Sequence, residues 1–252
     1  MTATDDAAGP SRRADVALVA AGFFESRARA AEAIAAGLVT ADGVTVAKPA
    51  GKVAADAVLR ATPAHPYVSR GGLKLAAALD GFAIDPAGLR CLDVGSSTGG
   101  FTDVLLRRGA AHVTAVDVGR DQFHHSLRAD PRITLRESTD IRALAPADLA
   151  APVDLVVCDA SFVSLRIVLP PALALAGPRA ALVALVKPQF EAGRRALKKG
   201  IVRDPAVHEA VCRDIAAFVT DAGWTLLGVA PSPVAGGDGN LEFLLGARRR
   251  GD

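Results

Sequence analysis

The sequence predicts an α/β fold: a mostly parallel sheet with helices on its faces, preceded by a small α+β unit. Three observations predict it. From Ser69 onward, short apolar runs alternate with helical segments, the pattern of a parallel sheet. The apolar run Leu89–Val94 enters a glycine-rich turn, Gly95-Ser-Ser-Thr-Gly-Gly100, and a helix follows at Phe101–Arg108. A second apolar run, Val113-Thr-Ala-Val, ends in an acid, Asp117.

These features have a chemical reading. Small residues let the backbone pack close to a nucleotide-like group, and a helix start offers free N–H groups. An acid at the tip of the second strand can accept both hydroxyls of a ribose. The layout is that of a Rossmann-like cofactor site. A dinucleotide fingerprint needs a middle glycine to admit the pyrophosphate, and Ser97 stands there instead. The pattern Asp93-x-Gly95-x-x-x-Gly99-Gly100 resembles the first motif of S-adenosylmethionine-dependent methyltransferases, whose cofactor has a ribose and an amino-acid tail but no phosphate. The expected cofactor residues are Asp93, Gly95, Ser96, Ser97, Thr98, Gly99, Gly100, Phe101, Asp117 and Asp159, with Asp140 placed near the adenine.

Along the chain, residues 1–10 are rich in Ala, Asp and Thr and read as a disordered tail. Residues 11–61 form the small unit. A helix is expected over Arg12–Ala21, and Ser26 caps a second over Arg27–Ala36 that stops at Gly37. A hairpin follows through Leu38-Val-Thr, the turn Asp42-Gly43 and Val44-Thr-Val. Val53–Leu59 reads as a further strand. Helix–helix–hairpin with Gly-x-Val and Lys48-Pro49 resembles the RNA-binding domain named after ribosomal small-subunit protein four. Arg12, Arg13, Arg27, Arg29 and Lys48 are its expected basic face. Residues 62–68, with Pro63 and Pro66, form a stiffened linker.

The large unit spans 69–248. Strands are expected at Leu89–Val94, His112–Asp117, Ile133–Arg136, Leu155–Asp159, Ala181–Lys187, Trp224–Pro231 and Asn240–Ala247. Helices are expected between the earlier strands, and a long one over Pro205–Ala222 stops at Gly223. The last two strands join through residues 232–239, too few for a crossover helix, so the last strand runs antiparallel. Ile167–Val186 is apolar but is broken by Gly177-Pro178, and reads as a helix plus a buried strand rather than a membrane span.

Composition narrows the function classes. Half of the 252 residues are hydrophobic, ample for a core, and the net charge is +2. Any nucleic-acid contact must therefore come from local basic patches. Cys91, Cys158 and Cys212 lie far apart, without metal or redox spacing, so reduced thiols in a cytoplasmic protein and no metal site are expected. Ser11-Arg12-Arg13 before Val16–Phe24 is a poor export signal, because Asp15 interrupts its start and Glu25 follows.

Four residues carry the expected chemistry. Asp159 ends the fourth strand, Lys187 ends the fifth, and Glu242 opens the antiparallel last strand. All three fall at the carboxyl edge of the sheet, where ligands bind. Lys74 lies on the helix entering the unit, in Ser69-Arg-Gly-Gly-Leu-Lys74. A ribose 2′-hydroxyl is a poor nucleophile until its proton is removed. A lysine removes it only when desolvation and a neighbouring cation lower the lysine's pKa. Lys187 is the expected base. Lys74 supplies the second charge, and Asp159 and Glu242 orient the ammonium groups.

Taken together, the chain resembles the TlyA (haemolysin A) family, whose methyltransferase domain is of the FtsJ type. The resemblance covers residues 11–248. It rests on Ser69–Lys74, Asp93–Asp103, Asp159-Ala-Ser-Phe162, Val186-Lys-Pro-Gln-Phe190 and Gly239-Asn-Leu-Glu242. It implies a Lys-Asp-Lys-Glu tetrad, S-adenosylmethionine as cofactor, and 2′-O-methylation of cytidine in 16S and/or 23S rRNA. Arg194, Arg195, Lys198 and Lys199, with Arg203, crowd one loop after the expected base, and Arg107-Arg108 and Arg248–Arg250 add to the charge. Such groups grip phosphates without reading sequence. Two other readings stay open: a membrane-active haemolysin, tested by liposome leakage, and a non-catalytic ribosome-assembly factor, tested by methyl transfer.

Overall fold

The computed structural model describes residues 11–236 and 239–250. The expected tail, residues 1–10, lies outside the described residues. The chain divides into two compact units between Pro66 and Tyr67.

The small unit opens with β1 (Arg12–Arg13), α1 (Ala14–Ala20), α2 (Arg27–Ala35), β2 (Val39–Ala41) and β3 (Val44–Thr45). It ends with β4 (Lys52–Val53) and β5 (Leu59–Ala61). Ser26 caps α2, its hydroxyl accepting from the Arg29 N–H at 3.3 Å. Asp42 and Gly43 both adopt positive φ, which the right-handed twist of a two-residue hairpin demands. Two expectations are corrected. Arg12 and Arg13 pair with Val53 and Lys52 as a strand, so the first helix starts later. Val53–Leu59 is not one strand: the chain turns after Val53, and Ala54, Ala55, Asp56 and Ala57 have little to pack on a pleated surface. Leu18, Phe24, Ile34, Val39 and Val53 centre the core of this unit.

The large unit contains α3 (Gly71–Gly81), β6 (Arg90–Val94), α4 (Gly100–Arg107), β7 (His112–Val116) and β8 (Ile133–Arg136). Then follow β9 (Val153–Cys158), α5 (Leu165–Ala174), β10 (Ala176–Val186), α6 (Pro188–Glu191), α7 (Pro205–Asp221), β11 (Trp224–Pro231) and β12 (Phe243–Arg249). One seven-stranded sheet has the order β11-β12-β10-β9-β6-β7-β8. β6 to β10 run parallel, and β12 is antiparallel to both its neighbours. Buried Leu, Val and Ala side chains form a cluster on each face. Pro205 opens α7 behind an Asp204 cap, whose carboxylate accepts from the Ala206 N–H at 2.9 Å.

The expected helices between β7, β8 and β9 are absent. Residues 117–132 form turns, and 137–152 hold two single 3₁₀ turns. Neither segment carries an apolar stripe, and prolines at 131, 146 and 152 interrupt them. The fifth strand starts earlier than expected, at Ala176, and absorbs Gly177-Pro178 in a register irregularity before Ala181.

Candidate active site

Register places the strand tips along one edge. Val186 pairs with Phe243, Ala184 with Cys158, Cys158 with Val94, and Val94 with Val116. Glu242, Lys187, Asp159, Gly95 and Asp117 each follow or precede these tips, so they line up across β12, β10, β9, β6 and β7.

The turn from β6 to α4 is tight. Gly95 has φ +78°, and a Cβ there would lie 2.9 Å from the Ala160 backbone. The N–H groups of Gly95 and Ser96 both reach the Val116 carbonyl. Asp117 accepts from the Ser97 N–H at 2.7 Å and the Gly119 N–H at 2.6 Å. It therefore holds the turn as well as facing the edge, and each oxygen keeps a lone pair for a ligand hydroxyl. Asp93 is fully buried behind the turn and accepts from the Thr102 hydroxyl at 2.7 Å. Burial pushes its carboxyl up to about 7; Thr102 opposes this and the charge of Asp159 adds to it.

Thr98, exposed in the turn, accepts from the His124 N–H through its carbonyl, and Phe101 is buried beside Gly71. Asp140 caps the 3₁₀ turn at Ile141 and pairs with Arg142 at 2.6 Å, which holds its carboxyl down at about 2.

At the other end of the edge stand two lysine–carboxylate pairs. Lys74 Nζ lies 2.5 Å from Glu242 Oε2, both buried. Lys187 Nζ lies 2.6 Å from Asp159 Oδ1. Lys187 also donates to the Asp159 carbonyl at 3.1 Å and the Ser161 hydroxyl at 2.8 Å. The pairs share one field. Burial raises the Asp159 carboxyl above its ordinary range; Lys187 and Lys74 pull it down and Glu242 pushes it up. Glu242 directly precedes its strand rather than opening it.

Ser161 and Phe162 were not singled out from the sequence, although their motif was. Phe162 is 91% exposed, has φ +64°, and its ring packs against Phe190 at 5.2 Å. An aromatic shortly after a strand-end acid is a readable signal. Its exposure is not, because that depends on a left-handed backbone.

Comparison with known proteins decides the family. The FtsJ-like methyltransferase model matches residues 67–249. The chain belongs to the FtsJ-like methyltransferase family. An S4 domain model matches residues 12–59 ahead of the FtsJ-like part. The chain is 46% identical to the 16S/23S rRNA (cytidine-2′-O)-methyltransferase TlyA of Mycobacterium tuberculosis, over 95% of this chain and 91% of that one. It is 35% identical to Hemolysin A of Brachyspira hyodysenteriae, over 88% and 94% of the two chains. A solved structure from Streptococcus thermophilus that carries a hemolysin name is 40% identical, with a TM-score of 0.75, covering 95% of this chain and 89% of that one. Among the described residues, no helix is long and apolar enough to cross a membrane.

The cofactor implied by an FtsJ-like fold is S-adenosylmethionine, and the residues present fit it. Asp93 Oδ1 and Ser96 Oγ are buried polar atoms without a hydrogen-bond partner among the described residues. They lie at a turn whose glycine leaves no room for a Cβ.

The basic residues expected to meet RNA divide into two sets. In the S4 domain, Arg13 and Arg27 bracket the buried Asp15 at 2.9 Å each and hold its carboxyl far below the usual range. Arg29 bonds His65 and Glu32 and is mostly covered. Arg12 and Lys48 are exposed. In the FtsJ-like part, Arg195, Lys198, Lys199 and Arg203 belong to the loop after α6, with Lys199 and Arg203 exposed and Arg195 open to solvent as well, while the Arg194 side chain lies outside the described residues. Arg107 and Arg108 pair with Asp103 and Asp80. Arg248 pairs in register with Ala181, at the far end of β10 from Lys187. These last charges therefore do not join the active edge.

Proposed function

We propose that the protein is an S-adenosylmethionine-dependent rRNA 2′-O-methyltransferase acting on cytidine ribose in 16S and/or 23S rRNA, with Lys74, Asp159, Lys187 and Glu242 as its catalytic tetrad. The observation that carries this reading is the two lysine–carboxylate contacts, Lys74–Glu242 buried and Lys187–Asp159 partly so, at the same sheet edge as the glycine turn. The relative of M. tuberculosis, which has this activity in its name, supports the substrate.

S-adenosylmethionine, when bound, supplies a methyl group already activated on a sulfonium. The turn at Gly95–Gly100, with Asp93, Ser96 and Asp117, holds it. Lys187 takes the proton from the ribose hydroxyl on its amine lone pair and becomes the ammonium that Asp159 then faces. Lys74 steadies the oxygen as negative charge grows on it. Asp159 fixes the Lys187 nitrogen and Glu242 the Lys74 ammonium, so little reorganisation is needed at the moment of reaction. Phe162, exposed beside Ser161, offers a flat apolar face to a nucleobase. Arg12 and Lys48 of the S4 domain and the basic loop after Lys187 grip phosphates. Among the S4 residues expected from the sequence, Arg29 contributes least, since His65 and Glu32 engage it.

The test is methyl transfer from labelled S-adenosylmethionine to small and large ribosomal subunits, with mass-spectrometric mapping of the product. A 2′-O-methylcytidine that depends on Lys187 is expected. Absence of RNA methylation on both subunits overturns the reading.

A further inference from the structure

The basic loop after Lys187 is not a loose charged strap. Lys198 and Ile201 exchange both backbone hydrogen bonds, at 2.9 and 3.1 Å. Lys199 and Gly200 between them have φ +52° and +78°. This is a two-residue turn of the mirror-image kind, and it presents Lys198 and Lys199 to solvent.

The turn is bolted to the segment that carries Glu242. Asn240, 5% exposed, donates from Nδ2 to the Gly200 carbonyl at 3.2 Å and accepts at Oδ1 from the Val202 N–H at 3.3 Å. The orientation of this amide is fixed by its partners, since a carbonyl only accepts and a backbone N–H only donates. His208, also buried, bonds the Val202 carbonyl at 3.0 Å and packs its ring against Phe243. Two residues beyond Asn240, Glu242 is held in turn. Its carbonyl accepts from the Ser232 N–H at 2.9 Å, and its carboxylate lies against Gly236. Gly236 closes the circuit by donating to the Asn240 carbonyl at 2.9 Å.

We propose that Asn240 is a positioning residue that sets the Lys198–Lys199 turn in fixed register with Glu242, so that a phosphate held by the turn places its ribose at the reacting end of the site. The proposal rests on the RNA methyltransferase reading and adds a residue outside the tetrad to it. A loose loop would still attract RNA, because attraction needs only charge. It would not align the hydroxyl, because alignment needs a rigid path from phosphate contact to tetrad.

The experiment uses full-length protein carrying Asn240→Ala, the double change Lys198→Ala with Lys199→Ala, and all three together. Four quantities are read: kcat and KM for rRNA, S-adenosylmethionine affinity by calorimetry, and amide hydrogen exchange over residues 198–203. Asn240→Ala is expected to speed exchange of the Val202 amide, leave cofactor affinity within about twofold, and lower kcat by about tenfold to a hundredfold, the cost of a misplaced substrate. The lysine changes raise KM in both backgrounds, because attraction needs only charge; they also lower kcat in the native background and add little to its drop once Asn240 is gone, the non-additivity expected of coupled groups. Faster exchange with native kcat overturns the proposal, as do effects on kcat that simply multiply. Should Asn240→Ala fail to fold, Asn240→Asp keeps the acceptor for Val202 and loses the donor to Gly200. A native kcat in that variant is equally fatal. If the native protein methylates no rRNA, the function reading fails by itself. The clamp is then judged by exchange alone, and unchanged Val202 exchange in the variant overturns it.

Discussion

Glu242 and Lys74 stand 168 residues apart in the chain and 2.5 Å apart in the fold. α3, packed against β10 and β12, delivers the ammonium, and the residue just before β12 delivers the carboxylate. A buried ion pair of this kind is not a strong stabiliser, since desolvating both charges consumes most of the attraction. Its presence fits a site that needs an ammonium held still in a water-poor place.

Lys187→Ala is expected to bind S-adenosylmethionine nearly as the native protein does, and to lose methyl transfer. The side chain sits on β10's tip, two strands from the glycine turn, and its partners are Asp159 and Ser161 rather than the turn. Loss of a positioned base costs about a hundredfold or more. Native turnover with saturating rRNA would remove Lys187 from that role.

Asp117→Ala should act in the opposite order and weaken cofactor binding first. Its carboxylate holds the Ser97 and Gly119 amides, so its loss loosens the turn as well as removing the acid proposed to hold the cofactor's ribose. Interactions present before the transition state appear in binding rather than in kcat. Calorimetry decides the point, and unchanged affinity would take Asp117 out of the site.

Asp93 carries a pH signature. Its folded carboxyl is pushed up to about 7, against about 3.9 for a free aspartate. Between these values the unfolded chain ionises and the folded one does not, so the folded state holds more protons. Stability contributed by the neutral acid is therefore full below about pH 4 and falls as pH rises towards 7, after which the loss is complete. The amide introduced by Asp93→Asn cannot ionise and can still accept from Thr102. The variant should match the native protein near pH 4 and unfold at a higher temperature at pH 8, while binding S-adenosylmethionine more weakly. A difference in unfolding temperature that stays constant from pH 4 to 8 would show that Asp93 does not titrate in this window.

Much of the sheet is legible in the sequence because strand tips announce themselves. Val94-Gly95, Val116-Asp117, Cys158-Asp159 and Val186-Lys187 are each an apolar run stopped by glycine or charge, and topology alone sends such tips to one edge. The segments joining β7, β8 and β9 are not legible as turns, since alternation of strand and helix is a rule about the average crossover. Which lysine meets which carboxylate is likewise hidden. Both pairings depend on where α3 enters the sheet and on the register of β12 with β10, and neither is a local property. Arg13, Arg27 and Arg29 show the same limit. They read as a basic face, yet Asp15, Glu32 and His65, distant from some of them in sequence, claim their guanidinium groups.

Removing residues 1–66 should leave a folded, cofactor-binding chain that methylates rRNA poorly. The two hydrophobic clusters of the sheet draw only on residues from Tyr67 onward, and the small unit's core only on residues up to Ala61. Neither core therefore needs the other. What the shortened chain gives up is the S4 domain, with Arg12 and Lys48 exposed on it, joined by a short linker stiffened by prolines. A tethered second binding site raises the effective concentration of the catalytic part at its target. Without it, KM for RNA should rise while kcat stays near native at saturation. For every phosphate that the shortened chain no longer neutralises, the slope of log K against log salt should also flatten by roughly 0.7 to 0.9. RNA binding is measured at several salt concentrations for both chains. Equal slopes with equal KM would mean that the small unit does not anchor RNA, and the basic turn at Lys198–Lys199 would then have to grip the phosphates by itself.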